Sequence, residues 1–139
     1  MKQLFRKFIH DKRGDFAQFA VVAPILMLVS LGLVNLALFG VAGVNANNAA
    51  NYGARVGSVA QENAVGYALK AANAKLHAAT FGDYAVSASQ VNSGRGSLIR
   101  LSVTYSVDNY FQGLAAIFGV QMPGRFQKTV TAYFRHEGW

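Results

Sequence analysis

Three histidines, six carboxylates and no cysteine are the residues from which an enzyme or metal centre would have to be built in this chain. His10, His77 and His136 stand far apart, with none of the spacings of a metal-ligand set. Without cysteine there is no thiolate site and no disulfide. Asp11 and Asp15 flank a basic leader, and Glu62, Asp83, Asp108 and Glu137 are scattered, so no carboxylate pair for acid–base work stands out. The serines and threonines fall in turn or strand patterns, with no partner in sequence to activate a nucleophile. Gly94-Arg95-Gly96-Ser97 is too short for a phosphate loop, lacks the following Lys-Ser/Thr, and reads as a turn. A chain of this kind is expected to be no enzyme and to hold no cofactor or metal.

Chemistry being sparse, the elements themselves carry the information. Phe16 to Val44 reads FAQFAVVAPILMLVSLGLVNLALFGVAGV: 29 residues without Asp, Glu, Lys, Arg or His, and with Gln18, Ser30 and Asn35 as mild polar members. About 20 apolar residues cross a bilayer as a helix. A helix apolar on all sides must be buried in lipid or in other protein. Of the 13 cations, Lys2, Arg6, Lys7, Lys12 and Arg13 precede this run, which predicts a cytoplasmic leader over residues 1–15. The net charge of +7 is therefore partly topological, and no basic cluster with interleaved aromatics marks a nucleic-acid surface. A cleaved secretory signal would have an apolar region of about 7–15 residues, half the length seen here. Pro24 predicts a kink or local unwinding near Ala20 to Pro24.

From Asn45 to Ala79 the chain is rich in Ala and free of Pro, so the helix is expected to continue over 45–80 as an amphipathic half. Roughly 60 helical residues would extend about 90 Å. Gly82 is expected to cap its end. Two ridges of small residues run along this helix: Ala42, Ala46, Ala50 and Ala54, and Ala49, Gly53 and Gly57. Such ridges let helix backbones approach closely, and they are expected to face the helices of other subunits.

After Asp83 the period changes to two. In DYAVSASQV, Tyr84, Val86 and Ala88 share a side; in SLIRLSVTYSV, Ile99, Leu101, Val103, Tyr105 and Val107 do. Asn92 to Gly96 is a turn between them, predicting a hairpin. Asp108 is expected to cap a short helix near 109–118 ended by Gly119. RFQKTVTAYFRHE predicts a third antiparallel strand, with Phe126, Lys128, Val130, Ala132 and Phe134 on one side. The fold class is α+β: a long N-terminal helix packed on a three-stranded antiparallel sheet over 81–139.

The run KRGDFAQFAVVAPILMLVSLGLV at its start resembles the N-terminus of TadE-like pseudopilins, from the tight-adherence branch of type IV pili. Arg13-Gly14, the spacer to Gln18-Phe19, the Ala-Pro at Pro24 and the Leu-rich helix follow that family's order. Asn48 to Arg55 is similar to its NAAREGAR motif, and Thr129 to Arg135 to its late strand. Two departures stand out. Gln18 occupies the place of the family's Glu, and it lies one position closer to Gly14 than that Glu does. The resemblance implies peptidase cleavage after the Gly and pairing of the Glu with a neighbour's N-terminal amine. With Gln18 the pairing loses its charge, and inefficient or absent cleavage at Gly14 is expected. The implied fold is type IV pilin-like. The implied function is a structural pilin that polymerises through its hydrophobic helix into an extracellular filament, after residing in the inner membrane. Its partners would be copies of itself, membrane lipid before assembly and the envelope pilus-assembly machinery, without nucleic acid. An alternative is a single-pass minor pseudopilin or accessory protein of the same machine.

Overall fold

A computed structural model describes residues 12–92 and 96–137, with side chains from residue 18 onward. The leader up to residue 11 and the tip of the expected hairpin turn at residues 93–95 lie outside the described residues. The elements in chain order are α1 (Lys12–Val59), α2 (Ala64–Leu76), β1 (Asp83–Val91), β2 (Leu98–Asp108), α3 (Gln112–Ile117) and β3 (Arg125–Arg135). The protein is α+β, with a long, largely apolar N-terminal helix packed on a three-stranded antiparallel sheet.

Helix α1 has 48 residues, about 72 Å at the standard rise. Its backbone stays helical on both sides of Pro24, so the expected unwinding does not occur. The expected continuation over 45–80 is corrected: α1 ends at Val59, and the chain turns through Ala60 to Asn63. Asn63 adopts the left-handed conformation (φ 48°, ψ 46°), and its side chain accepts a hydrogen bond from the Gly66 amide at 3.1 Å. An Asn tolerates this region better than most residues, and a short side-chain oxygen satisfies an otherwise unpaired helix-start donor. Gly66 leaves room for that side chain: a Cβ there would come within 2.4 Å of Asn63 Nδ2, so the Asn63 side chain would have to move. Helix α2 then runs back antiparallel against α1, with Ala64 and Ala68 opposite Gly57 and with Ala68 and Ala72 opposite Gly53. Its buried stripe of Ala64, Ala68, Ala72 and Leu76 has the four-residue spacing of one helix face.

The sheet order is β1-β2-β3, with every neighbour antiparallel. Its inner face carries Ile99, Leu101, Val103, Tyr105 and Val107, all buried, flanked by Val86 opposite Val103 on one side and Ala132 opposite Leu101 on the other. Burying side chains such as Ile99, Leu101 and Val103 contributes about 1.5–3 kcal/mol each, and a one-residue slip would turn all of them to solvent. The outer face is polar: Ser102 and Thr131 hydroxyls are 3.0 Å apart, and those of Thr104 and Thr129 2.8 Å.

Strand β2 runs antiparallel to α1, which sets one end of the sheet against each part of the helix. Ile99 meets Gly57, Leu101 meets Gly53, and Tyr105 packs on Gly43 and Phe39. At the far end the C-terminal segment closes over the interhelix turn: the His136 ring lies 2.8 Å from the Ala60 carbonyl, and the Glu137 amide donates to the Ser58 carbonyl at 2.9 Å. At the other end lies the β2–β3 connection. There the expected cap Asp108 is corrected. Asn109 accepts from the Phe111 amide, while Asp108 pairs with Arg125, which also reaches Asp83. Helix α3 ends at Gly119 (φ 73°), with the Gly119 amide donating to the Ala116 carbonyl and the Val120 amide to that of Ala115, the paired bonds of a Schellman motif. Gly82 is no helix cap: the preceding helix stops at Leu76, and Gly82 (φ 92°) turns the chain into β1.

Candidate assembly and membrane face

The sheet and α2 cover only the second half of α1. Phe19, Ile25, Leu26, Met27, Leu33 and Leu36 are all more than half exposed, Leu36 at 68%. Among the described side chains of α1 the first buried one is Asn35, and burial then recurs at Ala42, Ala46, Ala49, Ala50 and Ala54, each at 0% exposure. The helix thus consists of an uncovered apolar shaft, from Gln18 to Val34, and a covered half inside the domain. Leaving that shaft in water would forfeit the burial free energy of its eleven large apolar side chains, at about 25 cal/mol per Å² of surface.

The residues expected to meet other subunits are placed differently. Ala42, Ala46, Ala49, Ala50 and Ala54 are enclosed by the chain's own sheet and α2. A Cβ on Gly53 would come within 2.6 Å of Leu101 and 2.7 Å of the Ala68 carbonyl, and one on Gly57 within 2.8 Å of the Ala64 carbonyl and the Ala68 methyl. At Gly53 and Gly57 the small ridges do pack helix on helix, but the partner is α2 of the same chain, and the alanines are buried within that chain's own core. Their assignment as intermolecular contacts is corrected accordingly. The reason is geometric: α2 folds back, and its Ala stripe matches the low ridge of α1 closely enough to leave no room for a second copy. Of the family-like motif, Arg13 and Gly14 lie in the first turns of α1, Gln18 and Phe19 are exposed on the shaft, and Pro24 is half-buried.

Where shaft and domain meet, a polar pair is buried. Asn35 Nδ2 donates to Asn109 Oδ1 at 3.0 Å, across 74 residues of sequence. Asn109 is oriented by two further bonds: its Nδ2 donates to the Pro123 carbonyl at 2.8 Å, and its Oδ1 accepts from the Phe111 amide at 3.1 Å. That leaves Asn35 Oδ1 buried without a partner. Beside the pair lies an open apolar cleft of about 260 Å³, between Gly32, Leu36 and Phe39 of α1, Phe111 and Met122 of the β2–β3 connection, and Phe126 of β3. The sequence signals this junction only through Asn35, one of three polar residues in the charge-free run.

Among the described residues no three His, Cys, Asp or Glu side chains come together as a metal-binding group. No family model, curated protein or solved structure matches this chain.

Proposed function

We propose that this protein is a pilin-like structural subunit. It is held in the inner membrane by its N-terminal helix and then polymerises through that helix into an extracellular filament. The observation that carries the reading is the uncovered shaft Gln18 to Val34: an apolar, charge-free helix that its own domain leaves bare must find its cover in lipid, in copies of itself, or in one after the other. The cations before the shaft favour a cytoplasmic N-terminus and place the sheet domain across the membrane. The order of Arg13-Gly14, Gln18-Phe19 and Pro24 ahead of the Leu-rich helix, similar to TadE-like pseudopilins, supports the same reading. In the filament the shafts bundle in the core, with the polar outer faces of the sheets turned to solvent, by one contact repeated along a screw axis.

A second reading is favoured by one observation. The small-residue ridges are consumed within the chain, so the close helix approach they permit is already used. A single-pass accessory of the same type of machine needs no more than lipid around the shaft. Electron micrographs of native material decide between the two: filaments containing the chain support the subunit, and a dispersed membrane protein supports the accessory. Protease added to intact spheroplasts should cut beyond about residue 80 and spare the leader; the reverse pattern overturns the topology.

A further inference from the structure

The β2–β3 connection, residues 109–124, reads NYFQGLAAIFGVQMPG and holds no charged residue. It is apolar where a loop joining two strands would ordinarily be polar, and it exposes that character: Tyr110 at 60%, Ile117 at 76%, Phe118 at 54% and Val120 at 47%. Its position is set rather than incidental. Asn109 is bonded to Asn35, and Phe111 and Met122 stand across an apolar cleft from Gly32 and Leu36, so the connection flanks the shaft at the shaft's upper end. Charge resumes immediately behind it, in Asp108 and Arg125 at the strand ends.

We propose that this connection is a second membrane-contacting element, lying in the outer interfacial layer of the bilayer where α1 emerges. The inference rests on the membrane-anchored reading above. Its argument is length. From Phe16, the residue after the last charge of the leader, to Asn35 there are 20 residues, about 30 Å of helix against a hydrocarbon thickness of about 30 Å. The hydrocarbon boundary therefore falls at Asn35, and any tilt carries it toward Phe39. The connection is held at that level, so its exposed apolar side chains meet acyl chains and headgroups instead of water. A short apolar segment with Tyr and Phe at its surface suits the interface, where amphipathic rings settle and apolar faces enter about 5–10 Å. The cleft between Phe111, Met122 and Leu36 opens on the same layer and is of a chemistry to admit a lipid tail.

The full chain, which has no cysteine of its own, permits a direct test. Met27→Cys, Ile117→Cys, Phe118→Cys and Thr104→Cys are labelled separately with an environment-sensitive fluorophore. Each is reconstituted in phosphatidylcholine–phosphatidylglycerol vesicles carrying a nitroxide either near the headgroup or deep in the acyl chain. Labels at 117 and 118 should lose most fluorescence to the shallow nitroxide, the label at 27 to the deep one, and the label at 104 to neither. If 27 is quenched while 117 and 118 behave like 104, the shaft is in the membrane and the connection is not, which overturns this inference alone. If 27 escapes both nitroxides, the anchored reading falls and the inference falls with it. Labels at 117 and 118 that are shielded yet unquenched, with shielding that fades as lipid dilutes the protein, would show a second copy covering the connection and would also overturn it.

Discussion

Replacing Gly53 by Ala adds a single methyl group, and the structure predicts that it harms the isolated chain. In a helix interior Gly→Ala ordinarily stabilises by about 1 kcal/mol, through lower backbone entropy loss and better propensity. At Gly53 that gain meets three obstacles within van der Waals distance: Leu101 Cδ2 at 2.6 Å, the Ala68 carbonyl oxygen at 2.7 Å and the Ala72 methyl at 2.8 Å. Leu101 can rotate. The other two belong to the backbone and the shortest side chain of α2, and they yield only if the whole helix moves outward. Overpacking of this kind costs about 1–3 kcal/mol, with the rigid neighbours placing this site toward the upper end. The net effect is a loss of about 1–2 kcal/mol. Gly40 is the internal control, since a Cβ there meets nothing within 4 Å. Gly40→Ala should keep the full gain of about 1 kcal/mol, so the same chemical change at two positions of one helix should differ by about 2–3 kcal/mol, with opposite signs. In a domain of 60–100 residues each kcal/mol moves Tm by roughly 4–8 °C. Thermal unfolding of the full chain in detergent micelles, followed by circular dichroism at a concentration where it is monomeric, measures the difference. If Gly53→Ala raises Tm as Gly40→Ala does, α2 does not pack on α1 as described. If Gly53→Ala leaves the monomer unchanged but abolishes filaments, the ridge faces another subunit after all.

Three further outcomes are expected, two at the junctions at the ends of the domain and one at the leader. Asn109→Ala strands the Phe111 amide, the Pro123 carbonyl and Asn35 together and should cost about 2–3 kcal/mol, whereas Asn35→Leu removes an acceptor that already lacks a partner and should cost under about 1 kcal/mol; equal losses in denaturant titrations would contradict the assigned orientation of the pair. Asn63→Ala loses a helix cap and forces a Cβ-bearing residue without a side-chain acceptor into the left-handed region, a loss of about 1–3 kcal/mol, while Asn63→Gly costs only a few tenths; amide exchange across residues 60–67 reads the difference. N-terminal sequencing of assembled protein should find the leader still attached, since Gln18 replaces the acid expected near a processed Gly14; a start at Asp15 would restore a conventional prepilin route.

The periodicities determined the sheet and the shaft without help from the tertiary structure. Alternation in Leu98 to Asp108 named the buried residues Ile99, Leu101, Val103, Tyr105 and Val107, because a strand's inner and outer faces are a property of its own residues. The charge-free run from Phe16 to Val44 likewise declared a helix needing apolar cover, since no arrangement of its neighbours could hide so much surface in so small a domain. Two things were not local. The break at Ala60 to Asn63 contains neither Pro nor Gly, and its sequence tolerates continued helix; the turn exists because folding α2 back buries the Ala64, Ala68 and Ala72 stripe against Gly53 and Gly57. A ridge of small residues specifies only that some helix approaches closely, and whether that helix belongs to the same chain or to a copy depends on the path of the backbone. The Asn35–Asn109 pair is the other case, joined across 74 residues by the register that sets β2 antiparallel along α1. That register also carries an uncharged strand connection to the upper end of the bare shaft, where it meets the domain, a juxtaposition that exists only once the chain has folded.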